Sequence, residues 1–355
     1  MRRKIQLDGL RGMAILMVFL YHGFHVPLLW CGVDLFFVLS GYLITGILLR
    51  MKEQQGTTGA ALKSFYSRRA CRILPAFILF LFMATAVFHI HWSHLWYWYA
   101  FFDANFANAF KKAAVWALAP LWSLAVEEQF YFVWPLLALL SSVKTLKRVA
   151  LGIIVLAPIL RAIFTPFVPQ EYVYCLTLFR MDALAWGAAI AILEHQDPAW
   201  VHSRHRLAAI CAVASGVIFC GLSALPSFRL NANSMFFNTL GYSLVAIVFA
   251  GTILYALGSQ GGVAYSQLTL RPLRYMGQIS YTFYLYHLGV LILVRQHVHS
   301  AFLIPVIAFG ITGAIAAVSW PFFESPILRL HQWAVVGESK GRATRLVSPI
   351  GSGSY

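Results

Sequence analysis

Apolar runs of about twenty residues, separated by short polar stretches, repeat along this chain at 10–29, 32–50, 73–92, 116–140, 149–167, 173–193, 207–225, 234–258, 275–294 and 302–323. A helix rises about 1.5 Å per residue, so each run is long enough to cross a hydrocarbon core roughly 30 Å thick. The pattern predicts an all-α fold: a polytopic transmembrane helical bundle of about ten spans. The stretch HIHWSHLWYWYAFFDANFANAFKK lies between the third and fourth runs and is dense in aromatic residues. It reads as an interfacial or re-entrant segment, an eleventh span at 93–112 being the alternative. Residues 1–333 form one transmembrane domain on this reading, and 334–355, ending SPIGSGSY, form a short cytoplasmic tail without fixed structure.

Composition agrees with the pattern. Of 355 residues, 60% are hydrophobic and 11% charged, with a mean hydropathy of +0.72, values outside the range of soluble globular domains. The net charge of +15 does not point to nucleic acid, because the basic residues sit in short clusters between apolar runs. With the N-terminal MRRK inside, the clusters Arg50 to Arg72, Lys144 to Arg148, Arg204 and Arg206, Arg271 and Arg274, and Arg329 to Arg345 all fall on the cytoplasmic side, and so do both termini. Lys111 and Lys112 are the exceptions. The five scattered cysteines offer neither a C-x-x-C pair nor a disulfide framework, so no metal site is expected. No small-residue cleavage pattern follows the first apolar run, which is expected to be retained as a span. By eye there is no internal repeat.

Several ionisable residues fall at membrane depth, where each costs roughly 2.5–3.5 kcal/mol. Arg11 and His22 are eleven steps apart in the first run, which returns them to within about 20° of one helix face and about 16 Å apart along it. Asp34, Glu127, Glu128, Arg180, Asp182 and His287 lie in other runs. Ser123, Glu127 and Tyr131 share one helical face, as do Ser280, Tyr284 and His287. The plain alternative for any one of them is an interhelical hydrogen bond that only holds the bundle together. Arg68, Arg69 and Arg72, just before the third run, suit bidentate recognition of a phosphate, or else serve as ordinary cytoplasmic-side anchors.

The ordered set Arg11–x10–His22, GVDLFFVLSGYL (32–43), FYSRRACRILP (65–75), LWSLAVEEQFYFVWP (121–135), RMDALAWG (180–187) and ISYTFYLYH (279–287) resembles the acyltransferase 3 family of integral membrane proteins across nearly the whole chain. The resemblance implies an O-acyltransferase of the bacterial inner membrane that takes an acyl group, usually acetyl, from cytoplasmic acyl-CoA to a hydroxyl of a sugar-containing acceptor, a cell-surface polysaccharide or glycolipid. It implies that Arg11 and His22 are essential, that Arg68, Arg69 and Arg72 grip the donor's phosphates, and that Glu127 and Glu128 belong to the site. Some family members carry a fused outer hydrolase-like domain. None is expected in these 355 residues, with acceptor capture expected from outer loops or a partner.

These expectations give a mechanism. Arg11 holds the nucleotide end of the donor, with Ser40 on the second helix as a further donor-binding or acyl-accepting group, and His22 acts as general base. A carboxylate, Asp34 or Glu127/Glu128, is expected to orient the imidazole. Tyr284, Ser280, Ser123 or His287 would stabilise the oxyanion. A narrow cavity lined by Phe36, Phe37 and Trp122 would favour acetyl. The rivals are O-acylation of a small metabolite such as a macrolide sugar, a proton-coupled transporter using the same His and Glu residues, and a scaffold whose polar stripes only set packing.

Overall fold

A computed structural model describes residues 4–54, 56–112, 115–226, 228, 233–259 and 261–329; the expected tail at 334–355 lies outside the described residues. Its elements are helices α1 (Ile5–Phe24), α2 (Gly32–Glu53), α3 (Thr58–Phe88), α4 (Trp96–Ala100), α5 (Ala104–Ala109), α6 (Leu121–Leu140), α7 (Val143–Phe164), α8 (Gln170–Cys175), α9 (Thr177–Gln196), α10 (Pro198–Leu222), α11 (Tyr242–Gly258), α12 (Val263–Leu268), α13 (Arg271–His297) and α14 (Leu303–Ser319). No strand occurs among the described residues. Each of the ten apolar runs becomes a long helix. Among the described residues seven helices are long and apolar enough to cross a membrane, and α1, α6 and α7, helices that carry Asp8 and Arg11, Glu127 to Gln129, and four basic residues respectively, are not among them. The chain is a multi-pass membrane protein.

The aromatic segment between α3 and α6 contributes no crossing helix. It folds into α4 and α5, of five and six residues, far short of a hydrocarbon core. Gln129 of α6 fastens it by donating to Phe102 O at 3.1 Å, Asp103 Oδ1 at 3.1 Å and Asn105 Oδ1 at 3.0 Å. Lys111, the exception to the charge pattern, pairs with Glu171 at 3.0 Å.

Two close crossings position the polar residues. Helices α1 and α13 run in the same direction with their backbones nearly touching: a Cβ at Gly277 would lie 1.8 Å from Asp8 O, and one at Gly12 would lie 2.0 Å from Leu273 O. Helices α2 and α9 meet the same way at Gly41 and Gly187. Small residues are how membrane helices approach this closely, and any side chain there would force the pair apart. The first crossing sets Arg11 and His22 against α13. The second sets Asp34 against Arg180.

The α1 boundary corrects an expectation. The apolar pattern runs to residue 29 and places His22 mid-span, but the helix stops at Phe24. His25 takes a left-handed conformation (φ 55°) and its N–H bonds Leu20 O, and Pro27 opens a short 3-10 turn into α2. His22 is therefore in the last turn of α1.

Candidate active site

Helices α1, α2, α3, α6 and α13 enclose a cavity of about 110 Å³, room for several water molecules. One side is cationic, formed by Arg11, Arg69 and Arg72. Arg69 and Arg72 are three residues apart and share a helix face. The Arg69 guanidinium lies 4.5 Å from the centre of the Tyr131 ring, a cation–π contact. Arg11 Nη2 donates to Ser280 Oγ at 3.4 Å. None of the three arginines forms an ion pair among the described residues.

Two carboxylates face these cations across the space. Glu127 accepts from Ser40 Oγ at 2.8 Å and from Tyr131 OH at 3.2 Å. Glu128 also lines the cavity, and its Oε1 is buried with no hydrogen-bond partner. The far end of the cavity is formed by Phe36, Leu124 and the hydroxyls of Ser123 and Tyr284. These hydroxyls are 2.5 Å apart, and Tyr284 OH donates to Pro120 O at 3.0 Å.

Behind Tyr284 stand two histidines. The His287 ring packs on the Tyr284 ring with centres 5.4 Å apart, and His287 Nε2 is 3.2 Å from His22 Nδ1. Their backbone partners fix both tautomers. His287 Nδ1 is 2.6 Å from Tyr284 O and His22 Nδ1 is 3.0 Å from Val18 O. A carbonyl only accepts, so the hydrogen-bond network assigns the proton of each neutral ring to Nδ1. His287 Nε2 is then bare and accepts a share of the His22 Nδ1–H. The lone pair left on the pair is that of His22 Nε2.

This arrangement departs from three expectations. Among the described residues no carboxylate is hydrogen-bonded to His22, whose orienting partners are His287 and the Val18 carbonyl. Asp34, expected beside the imidazole, is instead held by Arg180 at 2.7 Å in a fully buried pair; the α2–α9 crossing draws it away from α1. Arg68 does not reach the cavity. One step of about 100° from Arg69 turns it outward, where it donates to Ser64 Oγ at 2.7 Å within its own helix. Arg11, Ser40, Arg69, Arg72, Glu127, Glu128 and Tyr284 are brought together around the cavity. His22 and His287 adjoin it through Tyr284 without lining it.

Sequence reasoning also missed residues. Tyr281 lines the cavity and donates to Ile73 O at 3.0 Å. Glu324 is 7% exposed and takes a hydrogen bond from Thr282 Oγ1 at 2.7 Å. The last apolar run stops at residue 323, and Pro321 and Pro326 read as helix terminators, so a carboxylate between them is taken for a loop residue. Its one signal is a lone charge beside an aromatic run.

The fold and this site define a polytopic helical membrane protein with a buried cationic cavity adjoining a histidine pair. The chain belongs to the acyltransferase 3 family: the family model described as an acyltransferase domain matches residues 4–324. It is 30% identical to the peptidoglycan O-acetyltransferase OatA of Listeria monocytogenes, over 90% of this chain and 55% of that protein. It is also 30% identical to a Bacillus subtilis protein named as a candidate peptidoglycan O-acetyltransferase, over 90% of this chain and 54% of the relative. A Staphylococcus aureus protein named as a candidate O-acetyltransferase is 30% identical over 92% of this chain and 57% of its own length. The chain thus spans about half the length of these relatives. No solved structure matches it at a significant level.

Proposed function

We propose that this protein is a membrane O-acyltransferase that moves an acetyl group from cytoplasmic acetyl-CoA to a sugar hydroxyl of the bacterial cell envelope, working in the inner membrane with both termini in the cytoplasm. The observation that carries the reading is the adjacency of an arginine cluster with no ion pair among the described residues and a histidine whose Nε2 is left bare. Three guanidiniums with no carboxylate in ion-pair contact among the described residues suit a polyanion such as the phosphates of CoA. A clustering of positive charge at the α3 entrance agrees with a cytoplasmic approach. The named activity of the Listeria relative, together with membership of the family, favours acetyl transfer to an envelope glycan.

In this mechanism Arg69 and Arg72 bind the donor's phosphates and Arg11, held by Ser280, extends the grip inward. The acyl end lies toward Phe36, Ser123 and Tyr284, where the short remaining space favours acetyl. His22 Nε2 takes the proton of the acceptor hydroxyl as its oxygen bonds to the thioester carbonyl carbon. The imidazolium is stabilised through Nδ1–H by His287, which plays the orienting part a carboxylate plays in other triads. The hydroxyls of Tyr284 and Ser123, which donate to the Pro120 carbonyl at rest, turn to the developing oxyanion as Tyr284 moves. As the carbon–sulfur bond breaks, the proton on His22 passes to the thiolate, restoring the neutral pair. Tyr284 must turn aside for the acyl carbon and the imidazole to meet, because its side chain separates them at rest.

The test is label transfer. Membranes holding the protein, incubated with radiolabelled acetyl-CoA, are expected to place label in the glycan fraction as an alkali-labile ester. Uptake of a substrate driven by a proton gradient, with no dependence on acetyl-CoA, would establish the transporter reading instead.

A further inference from the structure

Glu324 takes no part in the mechanism above, yet it is a buried carboxylate in a helix whose neighbouring face meets lipid. Pro305, Ala308, Thr312 and Ala316 form the buried stripe of α14. Continued at 100° per residue, that stripe passes about 20° from residue 323 and about 80° from residue 324. The helix does not continue that way. Trp320–Glu324 forms a π-turn, which adds one residue to the turn and moves every later side chain back by about one position. Glu324 thereby takes the inward place and is 7% exposed, while Phe322 is 79% exposed. The helix then runs on to Arg329.

The contacts of the rephased carboxylate are specific. Its Oε1 accepts from Thr282 Oγ1 at 2.7 Å and from Ser319 Oγ at 3.3 Å. Thr282 sits two residues beyond Ser280, the residue that holds Arg11. The π-turn that carries Glu324 packs against α3, the helix of Arg69 and Arg72, and against α13, so the cations nearest in effect are Arg72 and Arg11. Arg72 in turn feels the like charges of Arg11 and Arg69, with Glu324 as an opposing carboxylate. Arg72 lines the cavity and Glu324 does not, so the acid acts on the cation from outside the cavity lining.

We propose that Glu324 is a positioning residue for the donor: the π-turn of α14 delivers a counter-charge that holds Arg72 in place among two other arginines, with its guanidinium aimed at the donor's phosphates. This rests on the reading of the cavity as a phosphate clamp. Without the acid, Arg72 is repelled by Arg11 and Arg69 and leaves its aim, which weakens donor binding and leaves the histidine chemistry intact.

A double-mutant cycle on the purified, lipid-reconstituted protein tests it, with KM for acetyl-CoA and kcat as readouts. Glu324→Gln is expected to raise KM about tenfold, the loss of roughly one charge-assisted contact, with kcat within about twofold and unchanged thermal unfolding. Arg72→Gln is expected to raise KM by at least as much, and adding Glu324→Gln to it should change nothing further. Thr282→Val, a milder change that loosens the carboxylate, should raise KM in the same direction by a smaller factor, and serves if Glu324→Gln fails to fold. Full additivity of Glu324→Gln and Arg72→Gln, or a fall in kcat and melting temperature at unchanged KM, would reduce Glu324 to helix packing and overturn the proposal. An Arg72→Gln variant with wild-type KM would instead remove the phosphate clamp itself.

Discussion

Two clusters of charge sit inside this bundle and do opposite things. Between α2, α7 and α9, Asp34 is paired with Arg180 at 2.7 Å and Asp182 with Arg161 at 2.6 Å. Arg161 also donates to Phe179 O and Ser243 Oγ. The Arg180 guanidinium is packed on the Tyr242 ring at 4.2 Å and the Tyr174 ring at 5.3 Å. Around the cavity, by contrast, Arg11, Arg69 and Arg72 line open space with no ion-pair partner among the described residues. A charge matched at contact distance inside protein is committed to structure. One that is desolvated, supported from the side and left facing a cavity is available to a ligand.

That contrast is most severely tested by breaking the closed cluster. Asp34→Ala leaves Arg180 buried without its partner, a cost of about 3–5 kcal/mol, so detergent-solubilised protein should lose most of its cooperative melting transition. If Asp34→Ala folded normally and lost only acetyl transfer, Asp34 would belong to the site after all. Next in size is His287→Phe, which keeps the ring volume and removes the acceptor for His22 Nδ1–H. A kcat lower by about a hundredfold at unchanged donor KM is expected, the lower end of the range for general acid–base assistance. Arg69→Gln should leave folding alone and weaken donor binding by about tenfold or more, as for a charged hydrogen bond; a melting loss like that of Asp34→Ala would erase the difference between the clusters. Arg68→Gln sharpens it from the other side. That exposed arginine, bonded only within its own helix, should change donor KM by less than about twofold.

Much of this was legible beforehand, and the limits have physical causes. Hydropathy marks the long helices because a membrane demands uninterrupted apolar length: each of the ten runs falls on a long helix among the described residues, and seven of those helices are long and apolar enough to cross. The 3.6-residue period placed Ser123, Glu127 and Tyr131 on one face, and all three meet the cavity. Periodicity says which residues share a face, not which helix that face meets, so Asp34 and Glu127/Glu128 looked like equal candidates to orient His22. The α2–α9 crossing takes Asp34 to Arg180, Glu127 bonds Ser40 and Tyr131, and His287 takes the orienting place. The end of α1 was hidden because His25, not glycine or asparagine, takes the left-handed capping conformation. Glu324 was hidden by a π-turn, which shifts the register without a reliable sequence mark.

The central claim is that His22, oriented by His287, is the base that activates the acceptor hydroxyl beside the donor cavity. The direct measurement is acetyl transfer by His22→Ala reconstituted at wild-type abundance, with acetyl-CoA binding measured on the same sample. Transfer is expected to fall at least a hundredfold while donor binding stays within about twofold, since the arginines proposed to hold the donor are untouched. Near wild-type transfer by that variant would contradict the account.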